Sequence, residues 1–246
     1  MRSHFVSVAA SAVISTTCLA GFTSDSYVDL AMYSTNGDFN LYNDASFQVP
    51  GQGYTFIGGT PFGQSAMDYS ISLSTVSGSS GIVGGSAGDT DVVDFSITVT
   101  NTSGSTHFYT LFISTGITTP WSGGTFLTGE VAGTVFELGP TPGDADFFNN
   151  GNSPLMQGLI DNNPALPVGS APFSVPATPE GTIFVAANAG MGPMDVVSSY
   201  GLILTFGLQG DDQVVIDGQF TVTYIPGPAT LALMAVGLAA GRRRRN

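Results

Sequence analysis

Hydrophobic and polar residues alternate along several stretches of the chain. Residues 67–76 (MDYSISLSTV), 92–100 (VVDFSITVT) and 218–224 (GQFTVTY) place an apolar side chain at every second position. This period predicts strands with one buried and one solvated face. Residues 107–114 (HFYTLFIS) and 200–208 (YGLILTFGL) are more continuously apolar, which predicts central strands covered on both faces.

Gly-, Ser- and Asp-rich breakers separate these stretches, and no amphipathic helical pattern is present in the body of the chain. The sequence therefore predicts an all-β fold, an antiparallel β-sandwich of immunoglobulin-like or jelly-roll-like type with about nine to twelve strands. Residues 92–114 predict a hairpin of two strands around a short polar turn. The proline-rich residues 139–181 predict a long surface loop and the first place to look for a binding surface.

The charge distribution is one-sided. All 18 acidic residues lie within residues 25–217, and residues 3–241 contain neither Lys nor Arg. A body of this kind cannot neutralise phosphates, which excludes nucleic acid as a partner. It also predicts that apolar burial and backbone hydrogen bonds stabilise the fold, without internal salt bridges to Lys or Arg.

The amino-terminal residues 1–20 have the layout of a secretory signal peptide. Arg2 and His4 precede an apolar stretch, and small residues follow up to Ala20, after which cleavage is expected. Cys18, the only cysteine, lies within this segment, so the mature protein would contain neither disulfides nor thiol chemistry. Lipoprotein processing at Cys18 is the less favoured alternative.

The carboxyl-terminal residues 226–246 also divide into three parts. Pro226, Gly227 and Pro228 form a break, an apolar run covers residues 229–241, and four arginines follow: Arg242, Arg243, Arg244 and Arg245. Thirteen helical residues span about 20 Å, less than the roughly 30 Å of a bilayer core. The positive-inside rule places the arginines on the cytoplasmic side, so the pattern predicts a short transmembrane segment and a marginal anchor. A permanent tail anchor and a terminal helix packed on the body are the alternatives.

In its order of motif, apolar run and basic end, this segment closely resembles the PEP-CTERM sorting signal. Gly227 stands where that family usually has glutamate. The resemblance implies a bacterial protein that an exosortase-like membrane enzyme recognises, with transient retention at the inner membrane before delivery to the cell surface or the extracellular medium. It implies three regions: a signal peptide (1–20), a β-sandwich body (21–225) and a sorting tail (226–246).

Catalytic chemistry has few candidates in the body. His107 is its only histidine and lies in an apolar strand pattern, which disfavours a Ser-His-Asp arrangement. Glycoside hydrolysis needs two carboxylates, but Glu130 and Glu137 are seven residues apart and point to opposite faces of one regular strand. We therefore expect no enzymatic activity, with a secreted polysaccharide hydrolase as the least favoured alternative.

Calcium is the one cofactor that the composition suggests, because carboxylates and loop carbonyls are its preferred ligands. No cofactor is indicated with certainty, and the EF-hand pattern is absent. Asp211 and Asp212 form a third, weaker acidic cluster behind the two best ones. The candidate ligands of those two are Asp89, Asp91, Asp94, Asp144 and Asp146.

Trp121, between proline and serine in a predicted loop, is a candidate for stacking on a sugar, and packing at the core edge is the favoured alternative. The triplet Asn101-Thr102-Ser103 fits a glycosylation acceptor, although an ordinary turn is the better interpretation. We expect a non-catalytic surface or matrix protein associated with exopolysaccharide or biofilm. A carbohydrate- or calcium-binding adhesin module is the alternative.

Overall fold

The computed structural model describes residues 28–34, 39–43, 48–49, 53–57, 69–78, 90–117, 120–139 and 147–225, with side chains from residue 90 onward. The described chain is all-β, as the alternating pattern predicted. It contains more strands than the nine to twelve expected, because several are only two or three residues long. The strands are β1 (Val28–Ser34), β2 (Phe39–Asn43), β3 (Gln48–Val49), β4 (Gly53–Ile57), β5 (Tyr69–Gly78), β6 (Thr90–Asn101), β7 (His107–Gly116), β8 (Trp121–Ser122), β9 (Thr125–Glu137), β10 (Phe147–Asn149), β11 (Met156–Ile160), β12 (Asn163–Val168), β13 (Ser174–Val175), β14 (Thr182–Met191), β15 (Asp195–Val196), β16 (Ser199–Leu208) and β17 (Asp212–Tyr224).

Two antiparallel sheets form the body. Sheet A has eight strands in the order β12-β11-β16-β7-β1-β2, with β10 and β13 attached beside β16. Sheet B has seven strands in the order β14-β9-β17-β6-β5-β4-β3, and β8 and β15 form a small ribbon. Strand β14 is therefore an edge strand, whereas β17 lies inside sheet B between β9 and β6.

The core lies between the two sheets. In β6 every second residue is buried from Asp91 to Asn101, and the inward side chains of β17 include Phe220, Val222 and Tyr224. Strands β7 and β16 are central in sheet A and buried at most positions, which confirms the interpretation of their apolar runs. The sheets approach closely at Gly158 of β11, where an added Cβ would lie 2.3 Å from Cε2 of Phe220 on β17.

The predicted hairpin at residues 92–114 is wrong. Strand β6 pairs with β5 and β17 in sheet B, whereas β7 pairs with β1 and β16 in sheet A. The short segment between them crosses from one sheet to the other. A turn signal between two strands does not distinguish this crossing from a hairpin, because either connection needs polar, turn-forming residues.

Asn101 organises this crossing. Its amide nitrogen lies 2.8 Å from the carbonyl oxygen of Ser105 and 3.0 Å from those of Leu208 and Gln209. Leu208 and Gln209 begin a second connection between the sheets, from β16 to β17. Its Oδ1 accepts hydrogen bonds from the backbone N–H and the hydroxyl of Ser103. Asn101 is fully buried at the end of β6, which favours the turn interpretation of the acceptor triplet, and its side chain is inaccessible in the folded protein.

The long loop expected at residues 139–181 is also wrong for its described part. Residues 147–181 contain β10, β11, β12 and β13, and Leu155 and Met156 are fully buried. Pro164 and Pro167 lie on β12, the edge strand of sheet A, where a missing N–H is tolerated. The many prolines therefore suggested a loop, although this part of the chain forms the β11–β12 hairpin at the edge of sheet A.

Candidate functional site

A concave surface with several polar side chains lies on the outer face of sheet B. Strands β6, β17 and β9 each turn alternate side chains outward here, since their other faces are buried in the core. We call this surface the outer-face groove. Its side chains belong to Asp94, Ser96, Glu130, Ala132, Asp217 and Gln219.

Strand register produces the arrangement of the groove. Gln219 of β17 lies directly opposite Asp94 on one side and Glu130 on the other, so the three form a row across the strands. The amide nitrogen of Gln219 donates to Oδ1 of Asp94 at 2.6 Å. The groove has a volume of about 390 Å³, and a neighbouring hollow of about 500 Å³ continues from Glu130 and Gln219 toward Asn188 on β14.

The groove can accept and donate hydrogen bonds but offers no positive charge. Carboxylates and an amide suit a ligand rich in hydroxyl groups or a cation, and they repel anions. The side chains that line the groove include no exposed aromatic ring on which a sugar could stack. Sequence reasoning missed Asp217 and Gln219, because only the strand register shows that they join Asp94 and Glu130.

The structure separates the calcium candidates that it describes. Asp91 points into the core and accepts a 2.7 Å hydrogen bond from the hydroxyl of Tyr224, whereas Asp94 points outward. Burial, with the charge of Asp91 and this hydrogen bond, raises the pKa of Tyr224. Asp91 and Asp94 therefore do not share a cation.

The other calcium candidates, Asp89, Asp144 and Asp146, lie outside the described residues. Within the described part of the chain, no three His, Cys, Asp or Glu side chains form a group that could hold a metal ion.

Glu130 and Glu137 occupy opposite faces of β9. Glu130 is exposed in the outer-face groove, whereas Glu137 is buried and lies opposite Asp212 in the strand register. The two carboxylates cannot flank one glycosidic bond, so this pair does not support the hydrolase alternative. His107 is buried, with its Nε2 3.4 Å from the hydroxyl of Ser105.

Trp121 lies on β8 rather than in a loop. Its indole N–H donates to the carbonyl of Gly124 at 2.8 Å, and its ring packs edge-on against Tyr224 with 5.3 Å between centroids. The side chain is partly buried against the core, which is the packing alternative rather than a free stacking platform.

A second crevice, of about 350 Å³, lies beside Asp161 at the end of the β11–β12 hairpin. Asp161 and Asn162 form its turn with φ of 51° and 60°, the left-handed pair of a type I′ turn. The Asp161 carboxylate accepts hydrogen bonds from the N–H groups of Val197, Ser198 and Ser199 and from the Ser198 hydroxyl. Burial alone would raise the pKa of Asp161, but these hydrogen bonds together hold it below its usual value. The sequence does contain a signal for this turn, the Asp-Asn pair between two apolar runs, which sequence reasoning missed.

The two terminal segments lie outside the described residues. These include the cleavage position Ala20, the motif Pro226–Pro228 and the arginines at 242–245. The part of the chain that the structure describes holds no helix of the length and hydrophobicity that crossing a bilayer requires.

Comparison with known proteins gives little. No protein-family model matches the chain, and no curated protein matches it. Among solved structures, one of a "putative sugar binding protein" from Bacteroides thetaiotaomicron VPI-5482 is 13% identical, with a TM-score of 0.24, and the match covers 59% of this chain and 94% of that chain. A TM-score this low carries no argument about the chain.

Proposed function

We propose that the protein is an exported bacterial surface or matrix component without catalytic activity, associated with exopolysaccharide and sorted through its carboxyl-terminal segment. The observation that carries the proposal is the position at which β17 ends. Strand β17, which is paired on both sides, ends at Tyr224, and Ile225 donates its N–H to the Gly124 carbonyl. The motif, apolar run and arginine cluster follow at residue 226. The sorting segment is therefore adjacent to a strand that is already fully paired.

A non-catalytic role is supported by the fate of the catalytic candidates. Glu130 and Glu137 lie on opposite faces of sheet B, and His107 is buried. The outer-face groove exposes several polar side chains together. Such a surface suits contact with a hydroxyl-rich matrix better than bond cleavage.

Expression of the full chain in its own host tests the sorting proposal. Cells, membranes and medium are separated, and the intact mass of the protein is measured in each fraction. We expect a mature form that begins at Gly21 and lacks the arginine cluster. A variant with glutamine at residues 242–245 should accumulate in the membrane with an unprocessed end. Material that begins before residue 15 and ends at Asn246 would contradict both the signal-peptide and the sorting-tail assignments.

Carbohydrate binding is the second candidate, favoured by the outer-face groove rather than by Trp121. Its carboxylates and the Gln219 amide offer several hydrogen-bonding groups on one concave surface. Binding on a glycan array should be lost in the Asp217→Asn and Glu130→Gln variants, which preserve side-chain size and the backbone hydrogen bonds of sheet B. Retention of binding in both variants would exclude the groove as the carbohydrate site.

A further inference from the structure

Strand β14 is an edge strand with unusual properties. It runs over Thr182–Met191 (TIFVAANAGM), contains no charged residue and pairs on one side only, with β9, among the described residues. Natural edge strands of this length are normally protected by charges, prolines or bulges. This one has none of those devices, although the body around it is strongly acidic.

The apolar side chains of β14 that face solvent share one face. Ile183, Val185 and Met191 are 76%, 62% and 68% exposed, and Ala187 and Ala189 continue the same row. The alternate side chains point inward: Phe184 is buried, and an added Cβ at Gly190 would contact Leu166 of β12. Strand β12 thus lies beneath the inner face of β14.

The backbone groups of β14 that point away from β9 belong to the same odd-numbered residues. Ala189 donates its N–H to Oδ1 of its neighbour Asn188 at 2.9 Å, whereas Gly192, just beyond the strand, donates to the carbonyl of Thr125 at the start of β9. Because successive N–H groups of a strand point to opposite sides, the even positions face β9 and the odd positions face away. The odd-numbered row therefore carries both the exposed apolar side chains and the backbone groups that do not pair with β9.

We propose that β14 pairs antiparallel with β14 of a second copy of this chain, with Ala187 on the two-fold axis. In this register Ile183 lies opposite Met191 and Val185 opposite Ala189 of the other copy. In a two-fold antiparallel pairing, a residue on one side of the axis lies opposite the residue equally far along the strand on the other side. The register centred on Ala187 is the one that uses all five odd positions of the strand. A continuous sheet then joins the two sandwiches.

Charge explains why a second copy fits this edge. A cationic partner would gain from acidic residues on the strand, yet residues 182–191 have none. Two copies of an acidic body meet with least repulsion where both are neutral. The like charges on the adjacent strand β9 are the two copies of Glu130, the partner of Ala187. Three strand spacings separate them by about 14 Å, beyond the roughly 8 Å Debye length at physiological salt.

Sedimentation velocity of the chain purified from its own host, at 1–100 μM, tests the pairing. We expect a dimer that strengthens as salt rises from 10 to 200 mM, because only repulsion is screened. Val185→Glu should weaken association more than tenfold, and so should Ala187→Pro, which removes an outward N–H and no bond to β9. Val197→Glu is the matched control, since Val197 is a similarly exposed valine (59%) outside β14, and it should leave association unchanged.

Disulfide trapping tests the register. In a Cys18→Ala background, Ala187→Cys should cross-link to its own copy on mild oxidation, since opposite Cα atoms in such a ladder lie about 5.5 Å apart. Ala189→Cys should not, because its own copy is offset by four residues, or about 14 Å. A monomer at 100 μM, a dimer indifferent to both β14 variants, or cross-linking at Ala189 in preference to Ala187 would overturn the proposal. So would slow hydrogen exchange at the odd positions of a monomer, which would show a segment of the same chain on this edge.

Discussion

Replacing Asn101 by alanine should cause a large loss of stability for the loss of a single polar side chain. Asn101 lies where two adjacent crossings connect the sheets, and its side chain contacts both of them. An alanine would remove a donor from three carbonyl groups and an acceptor from Ser103. Water reaches the Asn101 position poorly, because this side chain is fully buried.

The size of the stability loss follows from the number of hydrogen bonds that Asn101 makes, counted by the hydrogen atoms available. The amide has two N–H groups for three carbonyl oxygens, and its oxygen accepts two further hydrogens from Ser103. Four hydrogen bonds at about 1 kcal/mol each amount to a loss of about 4 kcal/mol in the free energy of unfolding. Asn101→Asp should cost more at neutral pH, because it turns a carboxylate toward carbonyl oxygens. Protonation at low pH should restore part of that loss by supplying a donor.

Urea denaturation followed by fluorescence or circular dichroism measures the effect. With a slope of about 2–3 kcal/mol per M, the midpoint should fall by more than 1 M. Asn188→Ala is the matched control, since Asn188 is exposed and its side chain makes two hydrogen bonds, one from its amide nitrogen to the Pro167 carbonyl at 2.7 Å and one accepted from the Ala189 N–H at 2.9 Å. It should cost less than 1 kcal/mol. Equal losses in the two variants would refute the assignment of Asn101 as the residue that joins the crossings.

Three further substitutions test separate contacts by the same denaturation assay. Asp161→Asn should cost about 2 kcal/mol at neutral pH. Because the pKa of Asp161 is lowered from 3.8, this difference should persist above about pH 4 and vanish as the pH falls further; a pH-independent difference would contradict it. Trp121→Phe should cost about 1 kcal/mol by removing the bond to Gly124 while retaining the aromatic packing, and no cost would show that the bond is unimportant. Gly158→Ala should cost about 1–3 kcal/mol, since its Cβ would overlap the buried ring of Phe220; a neutral result would mean that the sheets separate freely there.

The period-two pattern predicted the fold class well because it reports burial directly. The inward residues of β6 and the end of β17 are the apolar ones of the alternating pattern. The pattern contains no information about which strands are neighbours. Both β6 and β7 were recognised as strands, yet their pairing was wrong, since a polar connection can either return along the same sheet or cross to the other.

The candidate site depended on that missing information. Asp94 was identified from the sequence but grouped with Asp91, three residues away, and an odd separation in a strand places the two on opposite faces. Its real neighbour is Gln219, 125 residues away in the sequence. Sequence proximity is a poor guide in a sheet, where neighbouring side chains come from different strands. Packing of Trp121 at the core edge was the favoured interpretation, but its partner could not be named from the sequence, because Tyr224 is distant in the chain.

The absence of Lys and Arg from residues 3–241 leads to a last prediction, about the effect of salt on thermal stability. The carboxylates whose partners are described accept hydrogen bonds from neutral donors: Asp91 from a hydroxyl, Asp94 from an amide, and Asp161 from backbone N–H groups and a hydroxyl. With no Lys or Arg in the body, its fixed charges at neutral pH only repel one another, and folding brings them closer together. Salt should therefore raise the midpoint of thermal unfolding between 10 and 500 mM and then have little further effect, because screening is then nearly complete. Sodium and tetramethylammonium chloride should act equally at the same ionic strength. A lower midpoint in salt would show attractive charge pairs, and a response to sodium alone would show that a bound cation, rather than screening, stabilises the protein.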